Sequence, residues 1–126
     1  PDIKYIFWVR DPRDCILSDH LTDDLNKFGI SYDKTGDIRK NRAISWLYQR
    51  EIVRSVPTPK NHLSIKFEDM VFDQDNTLAR ISDYLGIPIA KIEMRPDSVG
   101  RYKTDKGEHM FDFFENDMKE LGYELE

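Results

Sequence analysis

Residues 3–9 (IKYIFWV) run almost unbroken through β-branched and aromatic side chains and pass, with no spacer, into Arg10-Asp11-Pro12-Arg13-Asp14. A short, nearly continuous apolar run is the pattern of a strand buried on both faces by flanking helices, so we expect a central parallel strand here. The residues after it start a helix. Asp11 is suited to cap, Pro12 to the first helical position, and Asp14 stands three beyond the cap. A strand that turns directly into a helix commits the chain to an α/β fold. The helix is expected to reach about Asn26 or Phe28, ahead of a polar surface loop at residues 29–37 (GISYDKTGD).

Over residues 38–56 the apolar positions Ile44, Leu47, Tyr48 and Ile52 follow helical spacing. Ala43, Trp46 and Val53 widen the stripe enough to predict a deeply packed helix. Pro57 and Pro59 end it, and residues 63–67 (LSIKF) alternate like a second strand. A third helix should begin at a cap on Asp75 or Asn76, line one face with Leu78, Ile81 and Leu85, and stop at Gly86 and Pro88. Residues 89–107 show no period and carry Arg95, Arg101, Lys103 and Lys106. Met110, Phe111, Phe114, Met118 and Leu121 then mark a last amphipathic helix closed by Gly122. With 126 residues this reads as one domain, and the long connection between the strands suits a parallel crossover.

Nineteen Lys and Arg against 24 Asp and Glu leave a formal charge of −5, which argues against a broad electrostatic grip on nucleic acid. Any anion must be held locally. The longest strictly apolar stretch, residues 5–9, is far below the ~20 residues of a membrane helix, and no signal-like segment opens the sequence. The lone Cys15 excludes an internal disulfide, and His20, His62 and His109 lack the spacing of a zinc site. A cytoplasmic protein with no metal, no membrane and no nucleic-acid partner is the expectation.

Ligands of open parallel sheets collect beyond the carboxyl ends of strands, where Arg10 stands directly before a helix start. The first-turn amides and a guanidinium together favour an anion such as phosphate. Ser18, seven residues after the cap, is expected about two helical turns along, on the same side. The alternative on spacing alone is that Arg10 pairs with Asp11 or Asp14 at the surface and Ser18 is merely solvated.

The run from Arg10 through Asp14 to Ser18 resembles the Arg-Asn-Pro-x-Asp motif and following Ser of the sulfotransferases that use 3′-phosphoadenosine 5′-phosphosulfate (PAPS). Further stretches agree in order and spacing. Residues 66–71 (KFEDMV) and 78–88 (LARISDYLGIP) are similar to the family's Tyr-Glu-Asp segment and its following helix. Met94-Arg95 through Val99-Gly100-Arg101-Tyr102-Lys103 is similar to its late phosphate loop, and Leu121-Gly122-Tyr123 to its closing helix. The resemblance implies that Arg10 and Ser18 hold the 3′-phosphate, that Arg95, Gly100 and Arg101 close over it, and that Phe67 lies near the adenine in place of a tyrosine. Pro96 and Asp97 stand where some members have a basic residue and a glycine, and Tyr102 where they have a tryptophan. No glycine of this sequence opens a phosphate-binding nest after a strand. The resemblance therefore implies a partial, P-loop-like three-layer fold with a short parallel sheet flanked by helices. Its amino-terminal phosphate-loop unit is missing, so the chain reads as the carboxyl-terminal part of a longer domain.

The implied activity is sulfuryl transfer from PAPS to a hydroxyl or amine of a small-molecule or carbohydrate acceptor. This chain would supply the 3′-phosphate and adenine side of the donor site, with no catalytic residue of its own and no activity when isolated. A silent nucleotide-binding remnant and an interaction module are the competing readings. A sheet lacking its first strand should leave an apolar edge that promotes self-association. Other candidates carry less. Asp73-Gln74-Asp75 fails as a calcium loop because Leu78 and Tyr84 fall where Gly and Glu are needed. Cys15 reads as a buried inert thiol, His20 as a surface residue, Trp46 with Phe111, Phe113 and Phe114 as core, and Glu68-Asp69 as a strand-end pair pointing to opposite faces.

Overall fold

The computed structural model describes residues 3–18 and 36–125. Its elements follow the order β1 (Tyr5–Val9), α1 (Pro12–Cys15), α2 (Ile38–Ser55), β2 (His62–Lys66), α3 (Phe67–Phe72), α4 (Gln74–Leu85) and α5 (Glu115–Leu121). Short 3₁₀ turns lie at Pro96–Ser98, Arg101–Lys103 and Asp112–Phe114. The chain divides into two compact units, Pro1–Arg10 with Pro57–Gly100, and Asp11–Val56 with Arg101–Glu126. The architecture is α/β.

In the first unit β1 and β2 pair in parallel, with Tyr5 opposite His62 and Val9 opposite Lys66. Ile65, Met70, Leu78 and Ile81 form its core, against which Ile6, Leu63, Leu85, Ile89 and Met94 pack. The expectation of a central strand buried on both faces is corrected. Among the described residues β1 has β2 as its one neighbour, and Tyr5 and Trp8 are exposed. The apolar run specified a strand, but two faces need two covering layers. β2 ends at Lys66, so Glu68 and Asp69, expected at a strand end, lie in the first turn of α3. The cap of α4 is Asp73, not Asp75 or Asn76, and the Asn76 amide donates to the Asp73 carboxylate at 3.0 Å. Gly86 stops α4 at φ +74°, a conformation that costs glycine little.

In the second unit Ile16, Ala43, Phe111, Phe114 and Met118 are buried together, flanked by Leu17, Trp46, Leu47, Met110, Tyr123 and Leu125. Trp46 meets Phe114 edge-on at 6.0 Å, and Phe113, partly exposed, stacks on Phe111 at 5.4 Å. The closing helix stops as expected, with Gly122 at φ +82°. Helix α2 packs less deeply than its stripe predicts: Ala43 and Ser45 are buried, whereas Ile52 and Val53 are exposed. Its carboxyl-terminal half is tied by charge, through Arg54 to Asp117 and Glu120. α1 closes at Cys15 after one turn, and Ser18 lies in a bend beyond it, so the two-turn placement of Ser18 is corrected. Cys15 is half-buried. His20, the expected helix end near residue 26 and most of the 29–37 loop lie outside the described residues.

Candidate functional site

Parallel pairing puts the carboxyl ends of both strands together, and the register that sets Val9 against Lys66 brings Arg10 alongside Phe67. The Arg10 guanidinium lies over the Phe67 ring, 4.5 Å from its centroid. Its Nη2 donates to the Ser98 carbonyl at 2.7 Å. That carbonyl is presented by a 3₁₀ turn that Pro96 opens, and in which the Ser98 amide and hydroxyl both reach back to the Arg95 carbonyl, at 3.1 and 2.6 Å. Gly100 follows at φ +80°, where a β-carbon would be strained. The Arg10 Nε is buried and has no hydrogen-bond partner. A buried donor without an acceptor costs about 1–3 kcal/mol, which an arriving anion would recover. Arg95 and Asp97 are exposed at the rim of this turn.

In the second unit the Asp11 side chain caps α1, accepting from the Arg13 amide at 2.9 Å. The same carboxylate takes Arg13 Nε at 3.0 Å and Nη2 at 2.7 Å, a two-pronged pair with Arg13 2% and Asp11 5% exposed. Burial works against the Arg13 charge, but the hydrogen bond and charge of Asp11 outweigh it and hold its pKa above the ordinary value. The amides of the first turn are engaged internally: Pro12 has none, Arg13 donates to the cap, and Asp14 donates to the Asp11 carbonyl at 3.2 Å. The expected anion cradle of helix amides is therefore corrected, and side chains must do the binding. Arg13 also lies 4.0 Å over the Tyr102 ring, while the Asp14 carboxylate accepts from the Tyr102 amide at 3.2 Å. Next to Tyr102, the Arg101 Nη2 reaches the Ser18 hydroxyl at 3.3 Å.

A family model described as the sulfotransferase family matches residues 1–91. The chain belongs to the sulfotransferase family. No curated protein and no solved structure matches it. As a sulfotransferase-family chain it carries Arg10, Ser18 and Phe67 inside the matched span, and Arg95, Gly100 and Arg101 after it. Within one unit of this sulfotransferase-family chain, Arg10 joins Phe67 and the turn between Arg95 and Gly100; within the other, Ser18 joins Arg101. Among the described residues no group of His, Cys, Asp and Glu is arranged to hold a metal, and no helix is long and apolar enough to cross a membrane.

Sequence reasoning missed three participants. Ser98 acts through its backbone carbonyl, which no side-chain pattern signals. Arg13 and Asp14 looked like ordinary helix-start charges. The one hint was an arginine between two acids directly after a capping Asp-Pro, a spacing that lets cap and guanidinium pair locally.

Proposed function

We propose that this protein is a PAPS-dependent sulfotransferase, in which this chain supplies the 3′-phosphate and adenine side of the donor site within a P-loop-like fold. One observation carries the reading: a guanidinium at the end of a parallel strand, backed by an aromatic ring, with a buried Nε that lacks an acceptor. A 3′-phosphate would meet that Nε and the outer edge of Arg10, and the Phe67 ring offers an apolar surface for the adenine. The phenylalanine gives contact without the hydrogen bond a tyrosine would add. Family membership supports the transferase assignment. The resemblance assigns phosphate-binding roles to Ser18, Arg95, Gly100 and Arg101, and within their unit Ser18 and Arg101 touch. Sulfuryl transfer depends on aligning donor and acceptor and on neutralising oxygens as charge develops; the residues here serve binding and orientation, not proton transfer.

Calorimetric titration with 3′-phosphoadenosine 5′-phosphate and with adenosine 5′-phosphate tests the proposal. The 3′-phosphorylated nucleotide should bind far more tightly, and Arg10→Ala should remove about 2–5 kcal/mol of that affinity. Equal affinity for both nucleotides would overturn the assignment. Transfer of sulfate to phenol, alcohol or sugar acceptors by the intact gene product separates an enzyme from a silent nucleotide-binding protein.

A further inference from the structure

The second unit buries more charge than its core needs. Arg13 and Asp14 are 2% and 1% exposed, and both are directed at one short turn, Arg101–Lys103. Asp14 accepts the Tyr102 amide, and Arg13 covers the Tyr102 ring, itself 8% exposed. The turn is thus gripped at its backbone and at its side chain, by two residues that are neighbours in α1. Arg101 is different: it is exposed, and its guanidinium projects from the gripped turn to the Ser18 hydroxyl. A 3₁₀ turn of three residues has too few internal hydrogen bonds to fix an exposed arginine by itself. Burying two opposite charges to hold it is costly unless both are paired, as Arg13 is by Asp11 and Asp14 is by the amide.

We infer that Asp14 and Arg13 are positioning residues that hold the Arg101–Lys103 turn so that Arg101 and Ser18 stand together as a preformed phosphate-binding pair. This rests on the donor-site reading above and adds to it a specificity role for two residues that touch no ligand. Without the grip the turn would explore other conformations, and the phosphate would have to order Arg101 at the moment of binding. The loss would fall on the 3′-phosphate alone.

The affinities of 3′-phosphoadenosine 5′-phosphate and adenosine 5′-phosphate are measured for the parent chain, Asp14→Ala, Asp14→Asn, Arg101→Ala and the Asp14→Ala/Arg101→Ala double variant. Thermal unfolding of each is followed alongside. Asp14→Ala should weaken the 3′-phosphorylated nucleotide by roughly tenfold and leave the other unchanged. Asp14→Asn, which keeps an oxygen for the Tyr102 amide, should recover most of the loss. In the Arg101→Ala background the Asp14 substitution should cost nothing further, because its effect runs through Arg101. If Asp14→Ala does not fold, Tyr102→Leu, which removes the ring beneath Arg13 and keeps the amide, should lower the same selectivity. Additive losses in the double variant, or equal weakening of both nucleotides, would overturn the positioning role. A parent chain that fails to distinguish the nucleotides would overturn the donor-site reading instead.

Discussion

The two units give Arg10 and Arg13 different partners. In the first, Arg10 keeps one nitrogen on a backbone carbonyl and one ring beneath it, and leaves a buried donor without an acceptor. In the second, Arg13 holds the buried Asp11 carboxylate through Nε and Nη2 and packs on Tyr102, with its Nη1 buried and lacking a partner. An arginine that carries a buried carboxylate on two of its nitrogens is a structural post, whereas one whose hydrogen bond goes to a backbone carbonyl still has a charge for an anion to meet. The contrast separates a residue that holds the fold from one proposed to hold a ligand, although the two lie three positions apart.

Arg13→Ala should break the second unit first. It removes the guanidinium that pairs with the buried Asp11 carboxylate, and we expect about 3–5 kcal/mol of lost stability in urea unfolding. Arg10→Ala should change that midpoint by less than about 1 kcal/mol while abolishing nucleotide selectivity, since among the described residues no carboxylate is paired with it. A large stability loss at Arg10 with a small one at Arg13 would invert the comparison. Gly107→Ala is a milder probe of the second unit. A β-carbon there runs into the Arg39 guanidinium, whose pairing with Asp105 also engages the Gly107 amide. About 1 kcal/mol is expected, seen as a small drop in melting temperature.

The smallest effect concerns acid. The Arg39 hydrogen bond, helped by the Gly107 amide and the Arg39 charge, holds the Asp105 pKa below its ordinary value against some desolvation. A carboxylate with a depressed folded pKa contributes stability that is present above its unfolded pKa and lost as pH falls through the folded one. Burial pushes Asp117 the other way, despite Arg54 and Arg50, so its ionisation costs stability as pH rises from the unfolded pKa through the raised one. Asp105→Asn should therefore flatten the acid side of the stability profile, and Asp117→Asn should remove a decline on its higher-pH side. Identical profiles for both variants would contradict these assignments.

Much of the local structure was legible in the residues. Asp11 caps and Pro12 opens α1, Gly86 and Gly122 close their helices, and the two apolar runs form parallel strands. The placement of Arg10 at a strand end was legible too, as was its family. The strand boundary at Lys66 was not, because Phe67 extends the alternation of LSIKF while starting α3. Nor was the exposure of Trp8 and Val53, since apolar character reports what a residue prefers and not whether a layer exists to cover it.

The sequence by itself determined where elements start and stop, since caps, prolines and positive-φ glycines act through sterics and hydrogen bonds that span a few residues. Only the tertiary structure decided which charges are buried and which are left open. The Ser98 carbonyl meets Arg10, and the Tyr102 amide meets Asp14, in each case across 88 residues of sequence. A backbone group that satisfies or neglects a side chain at that range leaves no trace in the residue types, because every residue carries a carbonyl and nearly every one an amide.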